Sequence, residues 1–72
     1  MTRNRTIGES MRIARRVRGV SVKELAAEAG VSMSSIYQAE RGDMFPGVLL
    51  LSACADVLGI SIDEYIGRKG TA

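Results

Sequence analysis

The chain has 72 residues, one cysteine and no histidine, which leaves room for a single domain and excludes an internal disulfide, a multi-cysteine metal site and any histidine-based relay. No apolar run nears the ~20 residues of a membrane helix, and the basic, polar start at residues 1–6 does not read as a secretory signal, so a reduced, cytoplasmic protein without a membrane segment is expected. The formal net charge of +2 hides a split: residues 1–23 carry seven basic side chains against Glu9 alone, net +6, and residues 24–72 carry three against seven acids, net −4. Such a split suggests a face for a polyanion, the alternative being a solvated basic helix without a partner.

Residues 1–6, with Arg3 and Arg5, read as a basic arm ahead of a domain spanning 7–66, and residues 67–72 as a short tail. Thr6 and Glu9 have the spacing of a capping box, in which an N-cap hydroxyl and a carboxylate three residues on each accept a backbone N–H. They open a first helix predicted over 7–18, with Ile7, Met11 and Ala14 on one face and the aliphatic stem of Arg18 extending it. Gly19 then ends that helix, and Ser21 with Glu24 opens a second over 22–29, with Leu25, Ala26 and Ala29 inward. Gly30 and Ser32 repeat the pattern for a third helix over 33–41, with Ile36 and Ala39 inward. Glycine just past one helix and serine just before the next is start-and-stop grammar. Gly42 leads instead to a Pro46-Gly47 turn and a fourth helix over 47–58, whose core face should be Val48, Leu51, Cys54, Ala55 and Leu58. Gly59 and Ser61, with Glu64, introduce a short fifth helix over 62–66. No segment alternates like a strand, and no repeat appears. The expected architecture is all-α: a bundle of five short helices.

Ala29-Gly30-Val31-Ser32 joins the second and third helices. Glycine there admits positive φ, and Val31 can plug the corner between the helices. This is helix-turn-helix geometry, in which the second helix enters a DNA major groove. Gly19-Val20-Ser21-Val22-Lys23-Glu24-Leu25-Ala26, Ala29-Gly30-Val31-Ser32 and Ile36-Tyr37-Gln38-Ala39-Glu40-Arg41-Gly42 resemble the lambda-repressor-like, or Cro/C1-type, helix-turn-helix transcriptional regulators. Ala55-Asp56-Val57-Leu58-Gly59-Ile60-Ser61-Ile62-Asp63-Glu64 resembles that family's junction of fourth and fifth helices. The signatures occur in the family's order and spacing and cover 7–66.

The resemblance implies that the third helix reads DNA. Ser32, Met33, Ser34, Tyr37 and Gln38 would face base edges. Gln38 has the amide that pairs bidentately with adenine, Ser34 can donate or accept, and Met33 either meets a thymine methyl or is simply an exposed methionine. Tyr37 would bond a phosphate or stack on a sugar. Arg3, Arg5, Ser21, Lys23, Ser35 and Arg41 would contact phosphates, which set register without reading sequence. Arg15 and Glu40 would form an ion pair that fixes how the third helix sits on the scaffold.

Two departures weaken the expected grip on phosphates. Val22 stands where the family very often has Gln, and Asp43-Met44-Phe45 replaces a loop that is often basic. The fourth helix departs differently. Leu49, Leu50 and Ala53 fall where the family commonly has polar residues, and a helix apolar on all sides marks an interface or a thicker core. In the second case the extra residues, with Ile13 and Val17, would pack around Phe45 and Tyr65. Cys54 reads as a small core residue.

The leading expectation is a sequence-specific regulator, and more narrowly a repressor, binding a palindromic operator in double-stranded DNA as a homodimer. The alternative is a protein-interaction module on the same fold, antitoxin-like or an accessory subunit, that meets its partner through the fourth helix. Scattered carboxylates without histidine offer no acid–base pair or metal cluster, so neither an enzyme nor a cofactor is expected.

Overall fold

The computed structural model describes residues 7–66, which form α1 (Ile7–Val17), α2 (Val22–Ala29), α3 (Met33–Arg41), α4 (Val48–Leu58) and α5 (Ile62–Tyr65), with no strand among them. The capping Thr6, the arm with Arg3 and Arg5, and the tail at 67–72 lie outside the described residues.

Local chemistry sets the helix starts. Ser21 Oγ accepts the Glu24 N–H and Glu24 Oε1 accepts the Ser21 N–H, both at 3.0 Å, so the capping box of α2 is complete. Ser32 Oγ accepts from the Ser35 N–H and Ser61 Oγ from the Glu64 N–H, each at 3.1 Å. Each such cap satisfies a backbone donor that the helix itself cannot. Gly47 caps α4 with no side-chain bond, in extended backbone at φ −76° and ψ 171°. Three ends differ from expectation by one residue. Gly47 stands outside α4, α1 stops at Val17, and α5 stops at Tyr65. At α1 the last turn tightens, with the Arg18 N–H bonding the Arg15 carbonyl three residues back.

Met11, Leu25, Ile36, Cys54 and Tyr65 are fully enclosed at the centre of the core, bringing all five helices together. α1 packs chiefly on α3, α2 on α4 and α3, and α5 on α4 and α1. The tightest approach is at Gly8 on α1, whose Cα lies against the α3 backbone. A Cβ there would collide with the Ala39 carbonyl oxygen and stand 2.7 Å from that of Glu40. Only glycine allows this crossing.

One core assignment is corrected, and the thicker-core alternative fails at one residue. On α4 the inward stripe is Leu51, Cys54, Ala55 and Leu58, whereas Val48, one turn earlier, is 71% exposed. The first turn of α4 runs past the packed layer, so helical phase alone does not bury Val48. Phe45, expected beside Tyr65 if the surplus apolar residues thickened the core, is 76% exposed. The next residue, Pro46, is buried.

Arg18 also behaves differently from the aliphatic extension expected of it. It is exposed. Its Nε donates to the Leu58 carbonyl at 3.0 Å, and Nη2 stands 3.9 Å from Glu64. A cation at the carbonyl end of α4 caps unpaired acceptors and meets the negative end of the helix dipole.

Candidate nucleic-acid interface

The turn between α2 and α3 is built by Gly30 in the left-handed region, at φ 73° and ψ 32°. The N–H groups of Gly30 and Val31 both donate to the Ala26 carbonyl, at 2.9 and 3.0 Å. The chain reverses within four residues, and half-buried Val31 packs against the core between the helices. Ser32 then starts α3. Its Oγ accepts from the Ser35 N–H and also shares a 2.8 Å hydrogen bond with Ser35 Oγ.

α3 divides cleanly. Ile36, Ala39 and Glu40 are buried, while Met33, Ser34, Tyr37, Gln38 and Arg41 are exposed. Positions 34, 37, 38 and 41 are spaced three or four residues apart and make one outward stripe. Four of the five residues expected to read bases, Met33, Ser34, Tyr37 and Gln38, lie on the outward side of the helix. The fifth, Ser32, is the exposed N-cap at its start.

The inner side of α3 is held by charge. Arg15 Nε donates to Glu40 Oε2 at 2.8 Å and Nη2 to Oε1 at 2.9 Å, a two-pronged pair. Arg15 Nη1 adds a bond to the Val20 carbonyl at 3.0 Å. Arg15 is 9% exposed and Glu40 6%. The hydrogen bonds to Glu40 raise the Arg15 pKa, opposed by burial. One guanidinium thus ties α1, the entry to α2 and α3 together, and a planar fork suits this better than an ammonium.

The residues expected at phosphates are less uniform. Lys23 stands exposed in the first turn of α2. Ser21 is exposed, with its Oγ accepting the cap bond. Ser35 is half-buried, with its hydroxyl joined to Ser32. Arg41 donates through Nε and Nη2 to Asp43 Oδ2, at 2.9 and 2.7 Å.

The apolar surface has a different centre from the expected Leu49, Leu50 and Ala53. Leu49 is 86% exposed, but Leu50 and Ala53 are half-buried, and Leu50 packs against the core. The exposed neighbours of Leu49 in sequence are Val48 and Phe45, with Met44 at the edge. Sequence reasoning missed Val48 because it assigned it to the core, and it placed Phe45 there only in the alternative of a thicker core. It also missed the Asp43–Arg41 pair and the Gly8 contact.

Cys54 and Tyr65 are polar groups buried in the core. Burial pushes both the thiol and the phenol up, Tyr65 far above the usual phenol range. The Tyr65 hydroxyl lies beside Cys54 without a well-formed hydrogen bond. Cys54 is therefore a protonated packing residue.

A short helix, a glycine turn and a second helix with a polar outward stripe define a helix-turn-helix protein. The helix-turn-helix family model matches residues 11–65, and the chain belongs to that family of transcriptional regulators, which are not enzymes. It is 35% identical over 57 residues to the uncharacterized HTH-type transcriptional regulator YazB of Bacillus subtilis (strain 168), covering 79% of this chain and 83% of YazB. The N-terminal DNA-binding domain of SinR from Bacillus subtilis superposes with a TM-score of 0.79 at 30% identity, over 90% of this chain and 96% of that one. A chain of the SinR protein/SinI protein complex gives 0.80 at 30% identity, over 90% of this chain and 64% of that one. No helix among the described residues is long and apolar enough to cross a membrane.

Proposed function

We propose that this domain is cytoplasmic, binds a specific double-stranded DNA operator as a two-fold homodimer, with α3 in the major groove, and represses transcription. The observation that carries the reading is the division of α3. Its outward stripe offers Ser34, Tyr37 and Gln38 to a groove, while its inner stripe is locked to α1 through Glu40 and Arg15. In this reading Gln38 pairs with adenine, Ser34 and Ser32 serve as adaptable donors, and Met33 meets a thymine methyl. Lys23 and Arg41 hold phosphates, aided by Ser21, Ser35, Arg3 and Arg5. The likeness to a DNA-binding domain of SinR and to an HTH-type regulator supports it.

Phe45, Val48 and Leu49 form the dimer face, with Leu50 and Ala53 behind them. Exposed apolar side chains gathered in one short segment mark an interaction site. Two copies joined there would present their α3 helices about 34 Å apart, one DNA turn, to a palindromic operator.

Selection from random duplexes tests this directly. A palindromic motif with half-sites one turn apart is expected. A motif without symmetry would remove the dimer, and no enrichment at low salt would remove DNA binding. The same apolar face favours a second reading, a protein-interaction module with another chain seated there. SinR itself occurs in a complex with SinI.

A further inference from the structure

We infer that Asp43 sets how firmly the domain grips any DNA duplex, by competing with the phosphates for Arg41. The inference rests on the DNA-binding reading. Arg41 is the sole basic residue between Lys23 and Arg68 in the sequence. It lies one turn beyond Tyr37 and Gln38 on the outward stripe of α3, and it is the only basic residue of that helix. Both Nε and Nη2 donate to the single oxygen Oδ2 of Asp43, at 2.9 and 2.7 Å.

The backbone places Asp43 for this. Gly42 turns into the left-handed region at φ 84° and ψ 12°, and its N–H bonds the Ala39 and Gln38 carbonyls. The Asp43 N–H then donates to the Gln38 carbonyl at 2.9 Å. The helix cap therefore fixes the residue two beyond Arg41 and folds its short carboxylate back onto the guanidinium.

The pair is half-exposed, 60% at Arg41 and 56% at Asp43. An exposed pair of this kind is weak enough for a phosphate to compete with the carboxylate. Asp43 acts twice. It occupies the donors a phosphate would take, and its own charge repels the DNA backbone. Since neither effect depends on base sequence, Asp43 lowers affinity for specific and random duplexes alike and keeps the domain from settling on bulk DNA.

The test is a double-mutant cycle read by fluorescence anisotropy on one selected and one random duplex at two salt concentrations. Asp43→Asn should tighten both duplexes by roughly threefold to tenfold at low salt and steepen the salt dependence by about one counterion. Arg41→Ala should weaken binding less in the wild-type chain than in the Asp43→Asn background, where it should remove most of the gain. Asp43→Ser should repeat the gain, and melting curves confirm that each variant folds. If the wild type binds but Asp43→Asn and Asp43→Ser leave affinity unchanged, or Arg41→Ala costs the same in both backgrounds, the inference falls while the functional reading stands. If neither the wild type nor Asp43→Asn retains any duplex at low salt, the functional reading falls and the inference with it.

Discussion

Replacing Arg15 by Ala removes three hydrogen bonds at once, two to Glu40 and one to the Val20 carbonyl. It also leaves the Glu40 carboxylate, 6% exposed, without its counter-charge inside the bundle. Breaking one side of a buried ion pair costs about 3–5 kcal/mol, mostly because the remaining charge has lost its solvation and found nothing in exchange. A domain of this size holds only about 3–5 kcal/mol in total. Arg15→Ala is thus expected to be largely unfolded at room temperature. Glu40→Ala should be milder, since the guanidinium keeps its bond to Val20 and reaches solvent more easily. Replacing both residues by Met exchanges the pair for apolar volume, and such exchanges are often neutral or stabilising. Urea denaturation followed by circular dichroism measures all four corners. With a slope of about 1 kcal/mol per molar, a 3 kcal/mol loss moves the midpoint by about 3 M. Losses for Arg15→Met and Glu40→Met that simply add in the double variant would refute the reasoning, because they would show that the two residues do not depend on each other.

Gly8→Ala should destabilise the fold by about 1–3 kcal/mol, despite the better helix propensity of Ala, because the added Cβ meets α3 backbone rather than a movable side chain; an unchanged urea midpoint would mean that the crossing is not tight. Gln38→Ala should lose about 1–3 kcal/mol on the selected duplex and little on a random one, whereas Lys23→Ala should weaken both and reduce the salt slope by about one; a single titration series on the two duplexes separates the patterns. Leu49→Glu should abolish self-association in sedimentation while leaving the melting temperature near wild type, since Leu49 is 86% exposed; persistence of the dimer would place the contact elsewhere. Stability should fall above about pH 9. The ordinary values of Cys54 and Tyr65 are 9.0 and 10.0, and both are raised by burial. Above those values the unfolded chain loses protons that the folded chain keeps, so their contribution is intact below and is lost as pH rises. Cys54→Ala with Tyr65→Phe should flatten the alkaline limb of a stability profile.

The helix starts and the turn were legible because their causes are local. Ser21 and Glu24 cap each other within four residues, and Gly30 marks its left-handed turn without reference to the rest of the chain. The stripe of Leu51, Cys54, Ala55 and Leu58 was legible from period alone. What period does not report is where the partner surface ends, so Val48 was assigned to a core that does not reach it. The Gly8 contact was hidden for a related reason. It exists only because α1 crosses α3 at that one residue, and a glycine within a helix gives no hint of which backbone it meets. Arg18 reaches a carbonyl 40 residues away in sequence, and no spacing rule points there.

The charge split takes on a different meaning once the fold is known. Of the basic residues in the first 23, Arg15 is enclosed with Glu40, and Arg18 is engaged with the end of α4. Part of the positive excess thus holds the bundle together rather than facing a partner. On α2 and α3 the described basic residues are Lys23 and an Arg41 that is already paired with Asp43. Each phosphate contact contributes through the counterion it releases, and a single copy with so few contacts releases few. Two copies on one duplex double the number of contacts without any change in the surface of either, and the second copy binds at the effective concentration set by the first. A domain this sparing with cations gains more from pairing than a strongly basic one would, which connects the exposed Phe45, Val48 and Leu49 surface to the shortage of charge around α3.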